Sequence, residues 1–421
     1  MFRFIHAADI HLDSPLRGLE RYPGAPVDAI RQATRRALEN LVELAIEQSV
    51  AFVLIAGDLY DGDWKDFHTG LFFVGQMARL RAANIPVLLV AGNHDAANRM
   101  SRSLPLPENV RVFSPARPES VILDQCETAI HGQGFGRAAV LDNLARAYPP
   151  AAPGLFNIGL LHTAAEGREG HEPYAPCTVD DLRAKGYDYW ALGHVHRQET
   201  LATDPPIVFP GNLQGRHMRE TGPKGCMMVT VDDRQRPRAE PRWLDVFRWE
   251  LCSIDASGIS TGDDLLEAVR RGLEALAAKA DSRPLAVRVE VRGHGPAHRA
   301  LGAEPQRWTN EVRAVAQDVA GTQVWIEKVL LPRDPGKETG GATSRDDALE
   351  ELAACVADWK ADPAKLACLA EELGALRAKL PREMIEGPDA VGLDVPDRIR
   401  LWLDDAEQIL ARELRAGESG R

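Results

Sequence analysis

The stretch AFVLIAGDLYDGDW, residues 51–64, is apolar over its first six positions and then places Asp58, Asp61 and Asp63 close together. A continuous apolar run of this length predicts a strand that is buried on both faces, as in a parallel sheet. Carboxylates packed so closely repel one another unless positive charge neutralises them. The stretch therefore predicts a buried strand that ends beside a source of positive charge.

The same pattern continues on both sides of this strand. Strand-like and helix-like stretches alternate as β-α-β-α-β at residues 2–9, 28–48, 50–58, 67–84 and 85–95. That order implies a parallel sheet with covered faces. Shorter and more β-rich stretches follow to about residue 245. We expect an α/β domain over residues 1–245, built as one sheet layered on another with helices outside.

The rest of the chain divides into a module, a linker and helices. Residues 246–332 have a second β-α-β-α-β pattern and predict a small α/β domain over the rim of the first. Residues 333–345 are rich in Gly, Pro, Ser and Thr, which is typical of a linker. Residues 346–421 predict two or three amphipathic helices. Residues 341–421 hold 11 Lys+Arg against 18 Asp+Glu, a net charge of −7 (11 − 18).

Composition narrows the class of protein. A length of 421 residues suggests two or three domains, and the net charge of −12 argues against coating nucleic acid by bulk charge. That charge does not exclude a nuclease, because bound divalent metals add local positive charge. No apolar run approaches the roughly 20 residues of a membrane helix, and the N-terminus is too polar for a signal peptide. The six scattered cysteines favour a reduced, cytoplasmic protein.

Metal-type ligands follow the apolar strands of residues 1–245. They are Asp9, His11, Asp58, Asn93, His94, Asp95, His162, His194 and His196. Ligand sites form where the carboxyl ends of strands meet, so we expect these side chains to converge. In an extended chain Asp9 and His11 point the same way. Imidazole, carboxylate and amide ligands suit Mn²⁺, Fe²⁺ or Zn²⁺, and the set is large enough for two metals. A single motif here could be a surface turn; their joint order favours a metal site.

Together, ADIHLD, AGDLYD, AGNHD, LLH and LGHVH resemble the calcineurin-like metallophosphoesterases. ADIHLDSPL at 8–16 and FPGNLQGRHMRETGPKGC at 209–226 are closer to the SbcD-like DNA-repair nuclease branch, which includes YhaO-type proteins. The resemblance implies a metallophosphoesterase sandwich with a capping domain at 246–332, two divalent ions with Mn²⁺ preferred, and cleavage of DNA. It also implies a homodimer, for which the residues show no pattern, and an SbcC-like or YhaN-like coiled-coil ATPase that docks on the C-terminal helices.

The resemblance assigns roles residue by residue. One metal would be held by Asp9, His11 and His196, the other by Asn93, His162 and His194, with Asp58 bridging both. His94 would donate a proton to the leaving oxygen or hold the phosphate. Double-strand-break nucleases carry a histidine three residues after the bridging aspartate, where this chain has Asp61. GDLYDG instead resembles phosphatases in which the second aspartate orients the catalytic histidine, so we expect Asp61 to contact His94. This departure puts processive double-strand exonuclease activity in doubt. Asp63 is expected to be an exposed loop residue.

Basic residues beside the motifs leave two interpretations open. They could grip a phosphate backbone, or they could tie a loop down through Glu220. The set comprises Arg216, His217, Arg219 and Lys224, together with Arg99 and Arg102 after the GNHD motif.

Three functions compete. The first is a two-metal phosphodiesterase that acts on DNA. The second is a metallophosphoesterase for nucleotides, small phosphoesters or phosphoproteins, which GDLYDG and the acidic net charge favour. The third is a non-catalytic scaffold that binds DNA ends or an ATPase, against which the full ligand set speaks.

Overall fold

The computed structural model of the chain describes residues 1–14, 24–61, 67–97, 105–167, 173–293, 304–330, 345–377 and 392–416. The chain divides into two compact units, Met1–Pro332 and Arg333–Arg421, and each is treated by itself. In chain order, strands β1 to β15 are Phe2–Ala7, Phe52–Ala56, Val87–Val90, Val110–Val112, Glu119–Leu123, Thr128–Gln133, Phe156–His162, Tyr189–Gly193, Glu199–Thr203, Pro206–Phe209, Gly225–Val231, Pro237–Trp243, Arg248–Asp255, Leu285–Arg292 and Val324–Leu330. Helices α1 to α9 are Val27–Glu47, His68–Ala82, Asn93–Ala97, Val179–Arg183, Gly262–Lys279, Pro305–Ala320, Arg345–Ala361, Pro363–Arg377 and Pro396–Ala416.

Two six-stranded sheets form the body of the first unit. Their strand orders are β12-β11-β1-β2-β3-β4 and β5-β6-β7-β8-β10-β9. Strands β1 to β4 are parallel, and β11 joins β1 antiparallel. The layered α/β sandwich flanked by helices is confirmed.

Strand β2 shows why the apolar run of residues 51–56 has no polar alternation. Phe52 and Leu54 belong to the core between the two sheets, where Phe52 stacks on Phe4 with ring centroids 4.8 Å apart. Val53 and Ile55 point the other way, into the core formed with α1 and α2. Both faces of the strand are therefore buried, and both need apolar side chains.

The small module has its own parallel sheet, β13-β14-β15, with α5 and α6 in the two crossovers. Its first strand also packs on the sandwich. Trp249 Nε1 donates to the Gly215 carbonyl at 3.1 Å, and Gln214 Nε2 donates to the Phe247 carbonyl at 2.5 Å. The module and the sandwich thus belong to one compact unit. The boundaries at 245/246 and 332/333 stay predictions.

The second unit contains α7, α8 and α9. Lys360 of α7 forms an ion pair with Asp404 of α9. Most of the predicted linker, residues 333–344, lies outside the described part of the chain. Among the helices that the structure describes, none combines the length and apolar composition needed to cross a membrane.

Candidate metal centre

The ligand-bearing loops meet where β1, β2, β3, β7 and β8 end. The backbone N–H of Asp9 donates to the Gly57 carbonyl, and that of His11 donates to the Asp58 carbonyl, each at 3.0 Å. Asp9 and His11 have φ values of 50° and 46°. The expectation of an extended Asp9–His11 segment was therefore wrong. The two side chains converge because this loop curls along the loop after β2 in left-handed conformations, not because strand residues alternate.

Two groups of ligand atoms form at this edge of the sheets. The members of each group have ligand atoms within 4.8 Å of one another: Asp9, His11 and His196 in the first, and Asp58, His162 and His194 in the second. Asn93 joins the second group, since its Oδ1 lies 3.0 Å from His162 Nε2. A further set of the same size, His11, Asp58 and His94, lies between them.

The chemistry of these groups fits divalent cations. Burial raises the pKa of Asp9 well above its usual range, and the Asp58 charge adds to that effect. Burial likewise raises the pKa of Asp58 to about 6. Burial lowers the pKa of His162 to about 3, so this imidazole is neutral, as a metal ligand must be. His11 Nε2 and His196 Nε2 face each other at 3.2 Å, so both nitrogens are directed at the same point, where they could bind one cation.

Two glycines allow these loops to approach. A Cβ on Gly57, which has a φ of 91°, would lie 2.4 Å from His162 Nδ1. A Cβ on Gly92 would lie 2.2 Å from Asp58 Oδ1. Any side chain at either position would displace a ligand.

Asp61 and His94 are brought together beside the two groups. His94 Nδ1 lies 2.9 Å from Asp61 Oδ1, and Ser14 Oγ donates to Asp61 Oδ2 at 2.6 Å. Burial raises the pKa of Asp61, but the hydrogen bonds from His94 and Ser14 and the charge of Arg216 outweigh it and lower the pKa to about 2. The contact with Asp61 in turn raises the pKa of His94. The His94 side chain is 41% exposed, so it faces any approaching substrate.

The basic residues after β10 differ in burial and in their partners. Arg216 is held by Glu220 and Asp61, and Lys224 Nζ donates to the His196 carbonyl at 3.0 Å. These contacts fit the loop-anchoring interpretation. His217 is exposed, and its Nε2 lies 3.6 Å from Glu220 Oε1. The positions of Asp63, Arg99 and Arg102 lie outside the described residues.

Two carboxylates have supporting roles that the sequence did not indicate: Asp95 was counted there among the metal-type ligands, and Glu220 only as a loop anchor. Glu220 Oε1 lies 2.7 Å from His196 Nδ1, which leaves Nε2 to face the ligand group. Asp95 accepts hydrogen bonds from the backbone N–H groups of Leu59, Tyr60 and Gly92, at 3.2, 2.9 and 3.0 Å. It therefore fastens the loop after β2 to the loop after β3. The motifs GNHD and RHMRE contain these two acids, Asp95 and Glu220. Their positions in the motifs do not reveal which backbone N–H group or which imidazole each carboxylate will contact.

Comparisons with known proteins match the sandwich and the small module of the first unit to two different family models. Residues 2–198 match the calcineurin-like phosphoesterase family, and residues 249–332 match the middle domain of metallophosphoesterase YhaO. The chain is 36% identical over 297 residues to an uncharacterized metallophosphoesterase YhaO of Bacillus subtilis, covering 70% of this chain and 72% of that protein. It is 26% identical over 303 residues to the DNA double-strand break repair protein Mre11 of Methanopyrus kandleri, covering 64% and 63%. A dimetal phosphatase from Danio rerio matches at 12% identity and a TM-score of 0.35, over 56% of this chain and 98% of that one.

Proposed function

The chain belongs to the calcineurin-like metallophosphoesterases and carries the YhaO middle domain, and we propose that it hydrolyses phosphodiester bonds of DNA with two divalent metal ions. One observation carries the proposal. Two ligand groups lie side by side, with Asp58 in one and within reach of the other, and the half-buried His94 lies next to both. Such paired sites suit in-line displacement at phosphorus.

The chain supplies the ligands and the proton. Asp9, His11 and His196 would hold one ion, Asn93, His162 and His194 the other, and Asp58 both. Bound there, the ions supply Lewis-acid chemistry and the positive charge that an anionic diester requires. Asp61 accepts the Nδ1–H of His94, which fixes the tautomer and stabilises the imidazolium. His94 Nε2 can then hold the proton that the leaving oxygen takes up.

Two observations favour DNA as the substrate and Mn²⁺ as the metal. The similarity to an archaeal Mre11 named for double-strand break repair favours a polynucleotide diester. The mixture of nitrogen and oxygen ligands suits Mn²⁺, with Fe²⁺ and Zn²⁺ as alternatives.

The scattered cysteines favour a reducing compartment, so we place the reaction in the cytoplasm.

Metal-dependent cleavage of labelled single- and double-stranded DNA tests the proposal. We expect cleavage with Mn²⁺, none with EDTA, and a loss of about 10²- to 10⁴-fold in His94→Gln. Asp58→Asn should remove activity together with Mn²⁺ binding. Absence of cleavage by the wild-type protein with Mn²⁺, Fe²⁺ and Zn²⁺, or full activity in Asp58→Asn, would overturn the proposal.

A second candidate is a phosphoesterase for nucleotides, small phosphoesters or phosphoproteins. The contact between Asp61 and His94 favours it, because that pair resembles phosphatase members of the family more than break-repair nucleases. A panel of nucleotides, phosphopeptides and DNA separates the two. Asp61→His, compared with the wild type on that panel, would show whether the phosphatase-like pair sets the preference.

For the C-terminal helices we propose a docking role toward a coiled-coil ATPase of the SbcC-like or YhaN-like kind, in a homodimeric assembly. On α9, Leu401, Trp402, Ile409 and Leu410 are exposed, which supports a binding face. A pull-down of the ATPase with the full chain and with a chain ending before residue 341 tests this role. Undiminished binding after truncation would exclude it, and sedimentation of the full chain tests the dimer.

A further inference from the structure

Arg216 joins two carboxylates that hold two different histidines of the site. Its Nη1 lies 3.3 Å from Asp61 Oδ2, and its Nη2 lies 3.0 Å from Glu220 Oε1. Asp61 contacts His94 at 2.9 Å, and Glu220 contacts His196 at 2.7 Å. One guanidinium therefore connects the proposed proton donor to a proposed metal ligand. The connection spans 155 residues of sequence between Arg216 and Asp61.

Burial makes this bridge difficult to replace. The side chains of Arg216 and Glu220 are 10% and 4% exposed. Removing the arginine would leave the carboxylates of Asp61 and Glu220 close together without the guanidinium that pairs with both. Unpaired charges are costly where water has little access. A guanidinium has donors in a planar fork and can reach both carboxylates at once, whereas an ammonium is a single point of charge.

The loop that carries Arg216 is also fixed from outside the site. The carbonyl of Gly215 accepts from Trp249 Nε1 of the small module, and Asn212 Nδ2 donates to Glu220 Oε2 at 3.0 Å. The backbone N–H of Arg216 donates to the same Glu220 oxygen at 2.8 Å. The backbone and the side chain of Arg216 are thus both held by hydrogen bonds and ion pairs, so the guanidinium is poorly placed to turn toward a substrate phosphate.

We propose that Arg216 is a positioning residue: it holds Asp61 and Glu220 where they orient His94 and His196, and it does not itself bind the substrate phosphate. The part that concerns His94 rests on the function proposed above. The part that concerns His196 predicts metal binding and does not depend on any activity. The two parts call for two different measurements on Arg216→Met.

Metal binding is measured first, by calorimetric titration of metal-free protein with Mn²⁺. Loss of a group that orients a ligand typically weakens metal binding by about 10- to 100-fold, and we expect that loss for Arg216→Met. Arg288→Met is the matched control. Arg288 also makes two hydrogen bonds to a buried carboxylate, Glu327, at 2.8 and 2.7 Å, but it lies in the small module. It should bind Mn²⁺ like the wild type.

Hydrolysis of aryl diesters of thymidine 5′-phosphate is measured next, with leaving groups from p-nitrophenol to phenol. A misplaced proton donor matters most for a poor leaving group. With Mn²⁺ saturating for each variant, we expect kcat of Arg216→Met to fall by about tenfold or more on the phenyl ester, by less than about threefold on the p-nitrophenyl ester, and KM to change little. Should the methionine variant not fold, Arg216→Lys keeps the charge and should show the same pattern at smaller size.

The results separate the two proposals. Wild-type protein that binds Mn²⁺ but hydrolyses nothing would end the proposed function, and the Mn²⁺ titration of Arg216→Met would then decide this inference alone. An unchanged Mn²⁺ affinity in Arg216→Met would overturn the inference. So would an equal rise of KM on every ester, because that is the behaviour of a residue that binds the phosphate directly.

Discussion

Replacing Gly92 by alanine tests whether the site depends on the close approach of two loops. The added Cβ would lie 2.2 Å from Asp58 Oδ1 and 2.7 Å from the Asp58 backbone nitrogen, whereas ordinary contact begins at 3.4 Å. The carboxylate could rotate away, but the backbone nitrogen cannot. The two loops must therefore separate by at least 0.3 Å (3.0 − 2.7), and by 0.7 Å (3.4 − 2.7) to restore ordinary contact. Gly92 is not among the residues with positive φ, so the substitution is opposed by steric overlap and not by backbone strain.

The cost follows from that displacement. Forcing a methyl group into a packed place destabilises a protein by about 1–3 kcal/mol. A shift of about 1 Å in a catalytic group can cost about 10²-fold in rate. We expect Gly92→Ala to unfold at a lower temperature in EDTA, to bind Mn²⁺ at least about tenfold more weakly, and to lose about 10²-fold in DNA cleavage.

Gly75→Ala is the matched control, because nothing lies within 4 Å of a Cβ at that position in α2. It should stabilise the chain by about 0.5–1 kcal/mol, the usual gain of alanine over glycine inside a helix, and leave Mn²⁺ binding unchanged. Thermal unfolding followed by circular dichroism and Mn²⁺ calorimetry measure both variants. Gly92→Ala with wild-type unfolding temperature and wild-type Mn²⁺ affinity would refute the reasoning.

Three further predictions concern stability. Mn²⁺ at about 100 times its dissociation constant should stabilise the wild type by about 2.7 kcal/mol for each ion bound, measured in thermal melts and reversible with EDTA, and a similar gain in Asp58→Asn would count against the assigned ligands. Asp95→Asn should cost about 1–3 kcal/mol in urea denaturation, because its amide cannot accept from all three backbone N–H groups; an unchanged midpoint would contradict that role. Burial lowers the pKa of His6 to about 3 from an ordinary 6.5, so the unfolded chain binds more protons between those values. Wild-type stability should therefore fall as pH drops below about 6.5, by up to about 1.4 kcal/mol per pH unit from this group, and more steeply than that of His6→Gln; equal slopes would exclude the effect.

The sandwich could be predicted from local patterns because burial on both faces leaves a direct trace in the sequence. The continuous apolar run before Asp58 predicts β2, and in the structure alternate residues of β2 enter the two cores. The order of motifs also indicated which loops would meet, since strands of a parallel sheet end at one edge. Both inferences use only short-range periodicity and strand direction.

The conformation of the first ligand loop could not be predicted in this way. Asp9 and His11 adopt left-handed backbone conformations, which are uncommon for residues other than glycine although Asp and His enter them more often than most. They are held there by hydrogen bonds to Gly57 and Asp58, which belong to the loop after β2. A dipeptide pattern contains no information about such a partner, so the extended conformation was the reasonable but wrong expectation.

The same limit applies to the carboxylates that support the site. Glu220 lies 24 residues from His196, and Asp61 lies 155 residues from Arg216, yet both pairs are in contact. Which acid reaches which base depends on where the sheets place the loops, and on the module that fixes Gly215 through Trp249. The sequence left substrate binding and loop anchoring open for Arg216, because an arginine beside ligand motifs can pair with a phosphate or with a carboxylate of its own chain; the structure pairs it with Asp61 and Glu220.

Asp58 and Asp61, three residues apart in one loop, show how the chain divides its charges. Ser14, His94 and Arg216 surround Asp61 with donors, and its pKa falls to about 2. Burial raises the pKa of Asp58 to about 6, although nearby imidazoles and the His94 backbone N–H oppose the rise. Neighbouring acids with opposite shifts mark different roles in a site. Asp61 is paired with residues of the chain itself, whereas burial opposes the negative charge of Asp58 and Asp9, and bound cations would relieve that opposition.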